Sequence, residues 1–437
     1  MSAPQAQSLK SILIRGALGT AGLGVFQRVL SLVTAILLAR ILGAEDYGYF
    51  TFAITVVGLL AVLAQLGLPQ LATREIAALQ TLERWSLLNG LRRRSLQLML
   101  LSLSVVILLG VLLRAFSAHI PAMEPTVFLI ALVMLPLMIM AEIFSGFLKG
   151  LHRVVHATWP LAAFKPLLTL AIVVSIFVFF DEELRANEAI LATLIGTAAA
   201  LIALLVLLRR FWPAASRDLP PEFDSSSWAR ALLPFTLLGA ANLIIQKTDI
   251  ILLGVLGSPE DVGIYHIAVQ GAMLVSFGFA AINAVLAPNI ARLHVTGDRR
   301  QLQRLMTVST RAILAIAVGV LLVLVVFGQF ILDRVFGDEF VRGYPALVVL
   351  GVGQLINASA GSVGTFLSMT RHERDTARAI LAGTGVNTVL NLILIPAFGL
   401  IGAAAATALS TVVWNIMMSY SVYHRLDIMP GPIDWRK

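Results

Sequence analysis

The sequence predicts an all-α polytopic membrane protein with about twelve transmembrane helices, in two six-helix lobes around a central cavity. Three observations carry this prediction. Of 437 residues, 58% are hydrophobic and only 13% charged, with mean hydropathy +0.90. A water-exposed surface needs about 25% charged residues, which excludes a soluble enzyme, a disordered scaffold or a DNA-binding domain as the whole molecule. The apolar residues gather in runs of about 20, the length a helix needs to cross ~30 Å of hydrocarbon. Finally, Lys and Arg concentrate in alternate gaps between the runs, so the net charge of +8 orients the chain in a bilayer rather than binding nucleic acid. The chain has no cysteine, which rules out disulfides and thiolate metal sites.

Taken in order, the spans run near 17–42, 47–68, 95–116, 126–148, 157–180, 188–208, 231–256, 262–287, 308–332, 344–369, 378–397 and 399–424. The last two have the shortest gap between them, at Phe398. The runs are too long and too rich in Leu and Ala for barrel strands, which alternate over about ten residues. The first run leads into Arg40-Ile41-Leu42-Gly43-Ala44-Glu45-Asp46 without a small-residue cleavage site, so it reads as a retained span. With the N-terminus in the cytoplasm and residues at span ends counted with the adjoining loop, the cytoplasmic side holds 24 of the 32 Lys and Arg, the outer side five, and the span interiors three, Arg28, Lys165 and Lys247. That asymmetry persists through both halves, as a missed span would not allow.

A weak internal repeat divides the chain. Leu42-Gly43 followed by Gly48-Tyr49 matches Leu256-Gly257 followed by Gly263-Ile264-Tyr265, and Pro69-Gln70-Leu71-Ala72 matches Pro288-Asn289-Ile290-Ala291, at offsets of 214 to 219 residues. Between the copies, Trp212-Pro213 to Ser227 is polar and reads as a cytoplasmic linker. We therefore read residues 1–218 as an N-terminal lobe and 219–437 as a C-terminal lobe, in the parallel-repeat plan that recurs among transporters.

Several segments carry a family resemblance. Leu38-Ala39-Arg40-Ile41-Leu42-Gly43 through Tyr47-Gly48, then Gly67-Leu68-Pro69 and Arg74, resemble the opening of bacterial polysaccharide flippases of the multidrug/oligosaccharidyl-lipid/polysaccharide exporter superfamily. Val335-Phe336-Gly337-Asp338-Glu339-Phe340 resembles that family's loop before the tenth span, and Lys247-Thr248-Asp249 its charged seventh helix. Fourteen-span members such as lipid II flippases fit less well, since no extra pair follows span twelve. The resemblance implies a flippase that turns an undecaprenyl-pyrophosphate-linked oligosaccharide, as in lipopolysaccharide O-antigen assembly, from the inner to the outer leaflet of a bacterial inner membrane. It also implies alternating access, a coupling H+ or Na+ gradient, contact with membrane lipids and with polysaccharide assembly proteins, and no role as an enzyme.

Such a cargo needs cations for its pyrophosphate and hydrogen-bonding groups for its sugars. Charges within a membrane are costly and usually face a cavity. Arg28 lies about eleven residues into span one, near mid-depth at ~1.5 Å per residue. Its fork suits phosphate oxygens; the alternative is a structural hydrogen-bond donor. Lys165 and Glu142 sit at similar depth in consecutive antiparallel spans, either as a neutralising pair or as a pyrophosphate-binding cation beside a proton-taking acid. Lys247 and Asp249 are ~200° apart on span seven, so each needs its own partner. Lys247 is read as a substrate contact and Asp249 as a protonation or cation site; the alternative is a pair of interfacial charges near the helix end. His266 and Gln270 share one face of span eight; His266 is read as a proton-handling residue or as a hydrogen-bonded packing residue, and Gln270 as an amide offered to the cargo. Asn242 and Asn357 are the other substrate candidates, in a lobe rich in amides that also holds Asn387 and Asn391 at i, i+4. Such amides line a polar path or staple helices together. Arg92-Arg93-Arg94, after Arg84-Trp85, reads as a cytoplasmic surface helix touching anionic lipid.

No GxxxxGK[ST] loop is present and no metal-ligand spacing stands out, so the sequence predicts no nucleotide, metal or other cofactor. Two other classes compete. A multidrug exporter of the same superfamily wants an acidic cavity, whereas the spans here hold three Lys or Arg against two Asp or Glu. A membrane glycosyl polymerase or ligase wants a large catalytic outer loop; the longest here is about a dozen residues, and a separate, shorter outer loop, Asp181-Glu182-Glu183, reads as solvated acid rather than a catalytic acid pair.

Overall fold

The computed structural model of the chain describes residues 3–115, 119–179, 184–216 and 219–433. Asp181-Glu182-Glu183 and the side chain of Asn242 lie outside the described residues. The helices are α1 (Ala3–Gln65), α2 (Leu68–Thr81), α3 (Trp85–Ala115), α4 (Pro125–Gly150), α5 (Val154–Trp159), α6 (Lys165–Phe179), α7 (Ala186–Phe211), α8 (Ser225–Leu256), α9 (Pro259–Met273), α10 (Phe277–Thr296), α11 (Arg299–Ile331), α12 (Tyr344–Ala360), α13 (Val363–Met369) and α14 (Glu373–Leu426). No strand occurs among the described residues.

Nine described stretches are long and apolar enough to cross a membrane. Two of them are interrupted by a glycine. In α1, Gly43 has φ 74 and ψ 176, and in α14, Gly399 has φ 55 and ψ −133. Both values are non-helical and lie where an L side chain is strained. Each of these two helices therefore carries two spans, and the 32-residue α8 supplies a further crossing length. The architecture is all-α and consistent with the twelve spans expected. The break between spans eleven and twelve falls at Gly399, next to the Phe398 gap of the sequence. Span five carries a π-helical turn at Pro160–Phe164, just before Pro166. Pro166 has no N–H to give the preceding turn, and the wider turn absorbs the missing bond.

One expectation is corrected. Arg92-Arg93-Arg94 do not form a separate surface helix. They lie in α3, which runs unbroken from Trp85 into the third span.

Packing divides the chain into two compact units, one of residues 1–42 and 49–247, the other of residues 43–48 and 248–437. The division falls inside α8, after Lys247, and not at the 218/219 boundary read from the sequence. The first unit is built around α4, whose Phe128, Leu135, Ile139, Ile143 and Phe147 are fully buried. Gly146 and Gly150 let α2 approach: a Cβ at Gly146 would meet the Pro69 carbonyl oxygen at 2.6 Å, and one at Gly150 the Ile76 Cβ at 2.7 Å. By contrast, α3 presents Leu101, Val105, Leu108 and Leu112 outward, an apolar stripe suited to lipid. The second unit encloses a core of Ile290, Met306, Phe366, Leu367, Val422 and Ile428.

The polar linker after α7 is bonded to the first unit. Asn89 of α3 donates from Nδ2 to the Ser216 carbonyl, and to the Leu219 carbonyl at 3.1 Å. Glu222 donates its N–H to the Ser86 carbonyl at 3.0 Å. Replacing Asn89 by Ala strands two carbonyls, and a buried unsatisfied group costs about 1–3 kcal/mol. We expect Asn89→Ala to lower thermal stability and to speed protease cleavage between residues 212 and 224, read by gel after limited digestion.

Candidate functional site

The second unit holds a half-buried carboxylate surrounded by donors. Asp249 lies on α8 between buried Thr248 and Ile250. Its Oδ2 accepts from the Tyr265 hydroxyl of α9 at 2.8 Å and from Thr407 Oγ1 of α14 at 2.5 Å. Its Oδ1 accepts from Asn391 Nδ2 of α14 at 3.0 Å. Asp249 forms no ion pair among the described residues. Taking an acid out of water is expensive, and hydrogen bonds of this kind offset the cost.

The local sequence explains the convergence. Asn387 and Asn391 share a helix face one turn apart. Gly399 turns the chain back, so that residues after the break meet those before it: Asn387 Nδ2 lies 3.2 Å from Thr407 Oγ1 and 3.5 Å from Ser410 Oγ. Tyr265 is fully buried and reaches in from α9. Three helices thus contribute to one polar cluster within an apolar bundle.

Oxygen atoms crowd one point of the cluster. Asn391 Nδ2 lies 3.0 Å from each of three acceptors, namely Asp249 Oδ1, the Asn387 carbonyl oxygen and Asn387 Oδ1. An amide nitrogen carries two hydrogens, so one acceptor is left short. The other end of the same amide, Asn391 Oδ1, is buried with no partner. Turning that amide over would satisfy neither end, because its oxygen would face three acceptors. A small cation at the crowded point would make the turned amide a fourth oxygen ligand. The cluster contains a single carboxylate, so its charge matches one monovalent ion or one proton.

The other candidates from the sequence are placed as follows. His266, next to Tyr265, takes its Nδ1 to the Tyr47 hydroxyl at 2.9 Å and lies outside the Asp249 cluster. Gln270 is half-buried one turn further along, and its side chain makes no hydrogen bond to a described residue. Asn357 Oδ1 accepts from Asn415 Nδ2 at 3.0 Å, joining α12 to α14 as a staple does. In the first unit, Glu142 lies near enough to act electrostatically on Lys165, yet the two form no ion pair within 4 Å. Lys247 is half-buried at the end of that unit, and no described residue pairs with it. Arg28 is exposed on α1, beside exposed Phe26 and Val29, with no partner among the described residues.

Three members of the cluster were not singled out from sequence: Tyr265, Thr407 and Ser410. Tyr265 stood inside the repeat motif but was read only as part of the repeat match. Thr407 and Ser410 had a visible signal, as hydroxyls ending the Ala403-Ala404-Ala405-Ala406 run.

Residues 13–294 match the family of polysaccharide biosynthesis proteins. The chain belongs to that family. Among curated proteins it resembles the "Probable low-salt glycan biosynthesis flippase Agl15" of Haloferax volcanii, with 24% identity over 43% of this chain and 40% of that protein. It also resembles the "Probable flippase AglR" of the same organism, with 29% identity over 42% of this chain and 39% of that protein. The chain thus spans about two fifths of the length of these relatives. Solved structures share its fold. The lipid II flippase MurJ in an inward closed conformation has TM-score 0.72 at 13% identity, over 94% of this chain and 87% of that one. An inward-facing multidrug resistance MATE transporter of the MOP superfamily has TM-score 0.75 at 15% identity, over 92% and 94%. At such identities the likeness establishes the fold alone.

Proposed function

We propose that the protein is a flippase that turns a lipid-linked oligosaccharide from the inner to the outer leaflet, coupled to a monovalent cation gradient through Asp249. Undecaprenyl pyrophosphate is the lipid carrier expected in a bacterial inner membrane. The single observation that carries the coupling is the crowding of Asp249 and Asn387 oxygens around Asn391, which suits H+ or Na+ exchange. Family membership supports the glycan cargo, as do the names of the two Haloferax relatives. The absence of a nucleotide-binding loop leaves an ion gradient as the energy source within this chain. The distribution of Lys and Arg supports cytoplasmic termini.

The cargo head enters as a diphosphate and needs a cation that is not already neutralised. Arg28 satisfies that condition, with Lys165 and Lys247 as secondary contacts. Gln270 and Asn357 are the amides assigned to sugar, and Asn242 is assigned with them from its position. Glu142 and His266 are assigned to proton handling beside Asp249. The test is a reconstituted assay in vesicles, with fluorescent lipid-linked oligosaccharide and a quencher added outside. Arg28→Ala is expected to slow flipping about tenfold, the cost of losing one charge-assisted bond of ~1.5–3 kcal/mol. Arg28→Lys should retain part of the rate, since it keeps the charge and loses the fork. Wild-type flipping by Arg28→Ala removes that residue from the pathway. Export of lipophilic cations by the same vesicles, with no flipping of the glycan lipid, overturns the flippase reading in favour of a drug exporter.

A further inference from the structure

We infer that the end of the first unit where α3 begins and α4 and α7 finish is a binding site for the phosphate headgroup of an anionic phospholipid. Three arginines from three segments gather there around one pair of aromatic rings. The Arg92 guanidinium lies over the Trp212 ring at 4.8 Å, Arg153 over Phe211 at 4.7 Å, and Arg210 over the same Phe211 at 6.0 Å. Phe147 backs Trp212, with ring centroids 6.1 Å apart. All three arginines are exposed, and none has a carboxylate within ion-pair distance among the described residues. Cation–π stacking holds a guanidinium in place while leaving its edge donors free. Three forks held in this way offer an oxyanion more donors than three flexible lysines do.

The surface beside the cluster says what kind of anion fits. Arg210, itself a member of the cluster, ends a stripe on α7 that runs back through Val206, Ile202, Ile195 and Leu191, all exposed. Steps of four, four, seven and four residues keep that stripe on the helix face of Arg210. A phosphate at the arginines therefore has an apolar track beside it, directed along the helix into the hydrocarbon. A lipid with an anionic head matches both parts, whereas free phosphate matches only the first. The inference stands on the first unit alone and does not depend on what the protein transports.

Native mass spectrometry tests it. The full-length protein is extracted from vesicles made of equal parts phosphatidylglycerol and phosphatidylcholine, and retained lipid is counted. Wild type is expected to keep phosphatidylglycerol preferentially, and to lose it when salt is raised, as screening shortens the reach of the charges. Each basic residue near an anionic surface contributes about 1 kcal/mol, so Arg92→Gln/Arg153→Gln/Arg210→Gln should cut occupancy roughly tenfold or more. The control Arg300→Gln/Arg304→Gln/Arg374→Gln removes equal charge from exposed, unpaired arginines in the second unit and should retain the lipid. Equal retention of both lipids by wild type, or equal loss in the two triple variants, overturns the site. Should the first triple variant fail to insert, Arg92→Lys/Arg153→Lys/Arg210→Lys preserves charge and topology but not the stacked forks. A several-fold loss in that variant supports the site, and wild-type retention overturns it.

Discussion

Asp249→Asn is expected to insert in the membrane and to lose ion-driven transport. The native carboxylate accepts from Tyr265, Thr407 and Asn391. An amide offers one oxygen, so its NH2 group must face at least one of those donors. The mismatch costs about 1–3 kcal/mol of stability, which a bundle of this size should survive. The functional cost is greater. Moving one elementary charge through 100 mV supplies about 2.3 kcal/mol, and a carrier without its ion site forgoes that drive, roughly fiftyfold in the transport ratio. The measurement is glycan-lipid flipping in vesicles with and without an imposed Na+ or H+ gradient. Wild type should respond to one gradient, and the variant to neither. A variant that keeps its gradient response removes Asp249 from coupling while leaving the family assignment untouched.

Gly48→Val should be the most damaging substitution in the second unit. A Cβ at Gly48 would lie 1.7 Å from the Pro259 carbonyl oxygen, and one at Gly263 would lie 2.2 Å from the Ala44 carbonyl oxygen. Backbone meets backbone here, so no side chain can swing aside. Separating the two segments also breaks the bond from the Ala44 N–H to Glu339 Oε2 at 2.8 Å, and the Tyr47–His266 contact at 2.9 Å. Overpacking alone costs about 1–3 kcal/mol, and one lost hydrogen bond about 1 kcal/mol more. Thermal unfolding followed by tryptophan fluorescence in detergent should show a midpoint several degrees lower. An unchanged midpoint would mean that segment 43–48 does not need this approach.

Much of the fold was legible because a bilayer imposes it residue by residue. Length, apolarity and Lys/Arg bias are local properties, and they marked out the apolar helices; they did not show that the tenth run breaks after Ala360 or that α3 and α11 begin about ten residues before their apolar runs. The break at Gly43 fell in the repeat motif and that at Gly399 fell beside the short Phe398 gap, but the role of Gly399 itself, whose backbone angles a glycine tolerates, was not read from the sequence. Asp249 stood out because a lone acid in a span has few bland explanations. Asn387 and Asn391 stood out through their i, i+4 spacing, although spacing alone could not separate a site from a staple. Asn357, picked out only as one amide of an amide-rich lobe, bonds to Asn415. The arginine cluster was half visible: the Arg92-Arg93-Arg94 run was plain, but Arg153 and Arg210 lie far from it in sequence.

The sequence by itself determined the solvent, the all-helical class, the approximate spans and the family. Those follow from composition and from short-range patterns, which act on each segment independently. Only the tertiary structure decided which polar groups meet. Tyr265, Thr407 and Asn391 reach Asp249 across separations of 16, 158 and 142 residues. A carboxylate in hydrocarbon must find donors wherever the packed helices bring them, and that choice is made by geometry between helices rather than by any neighbour along the chain.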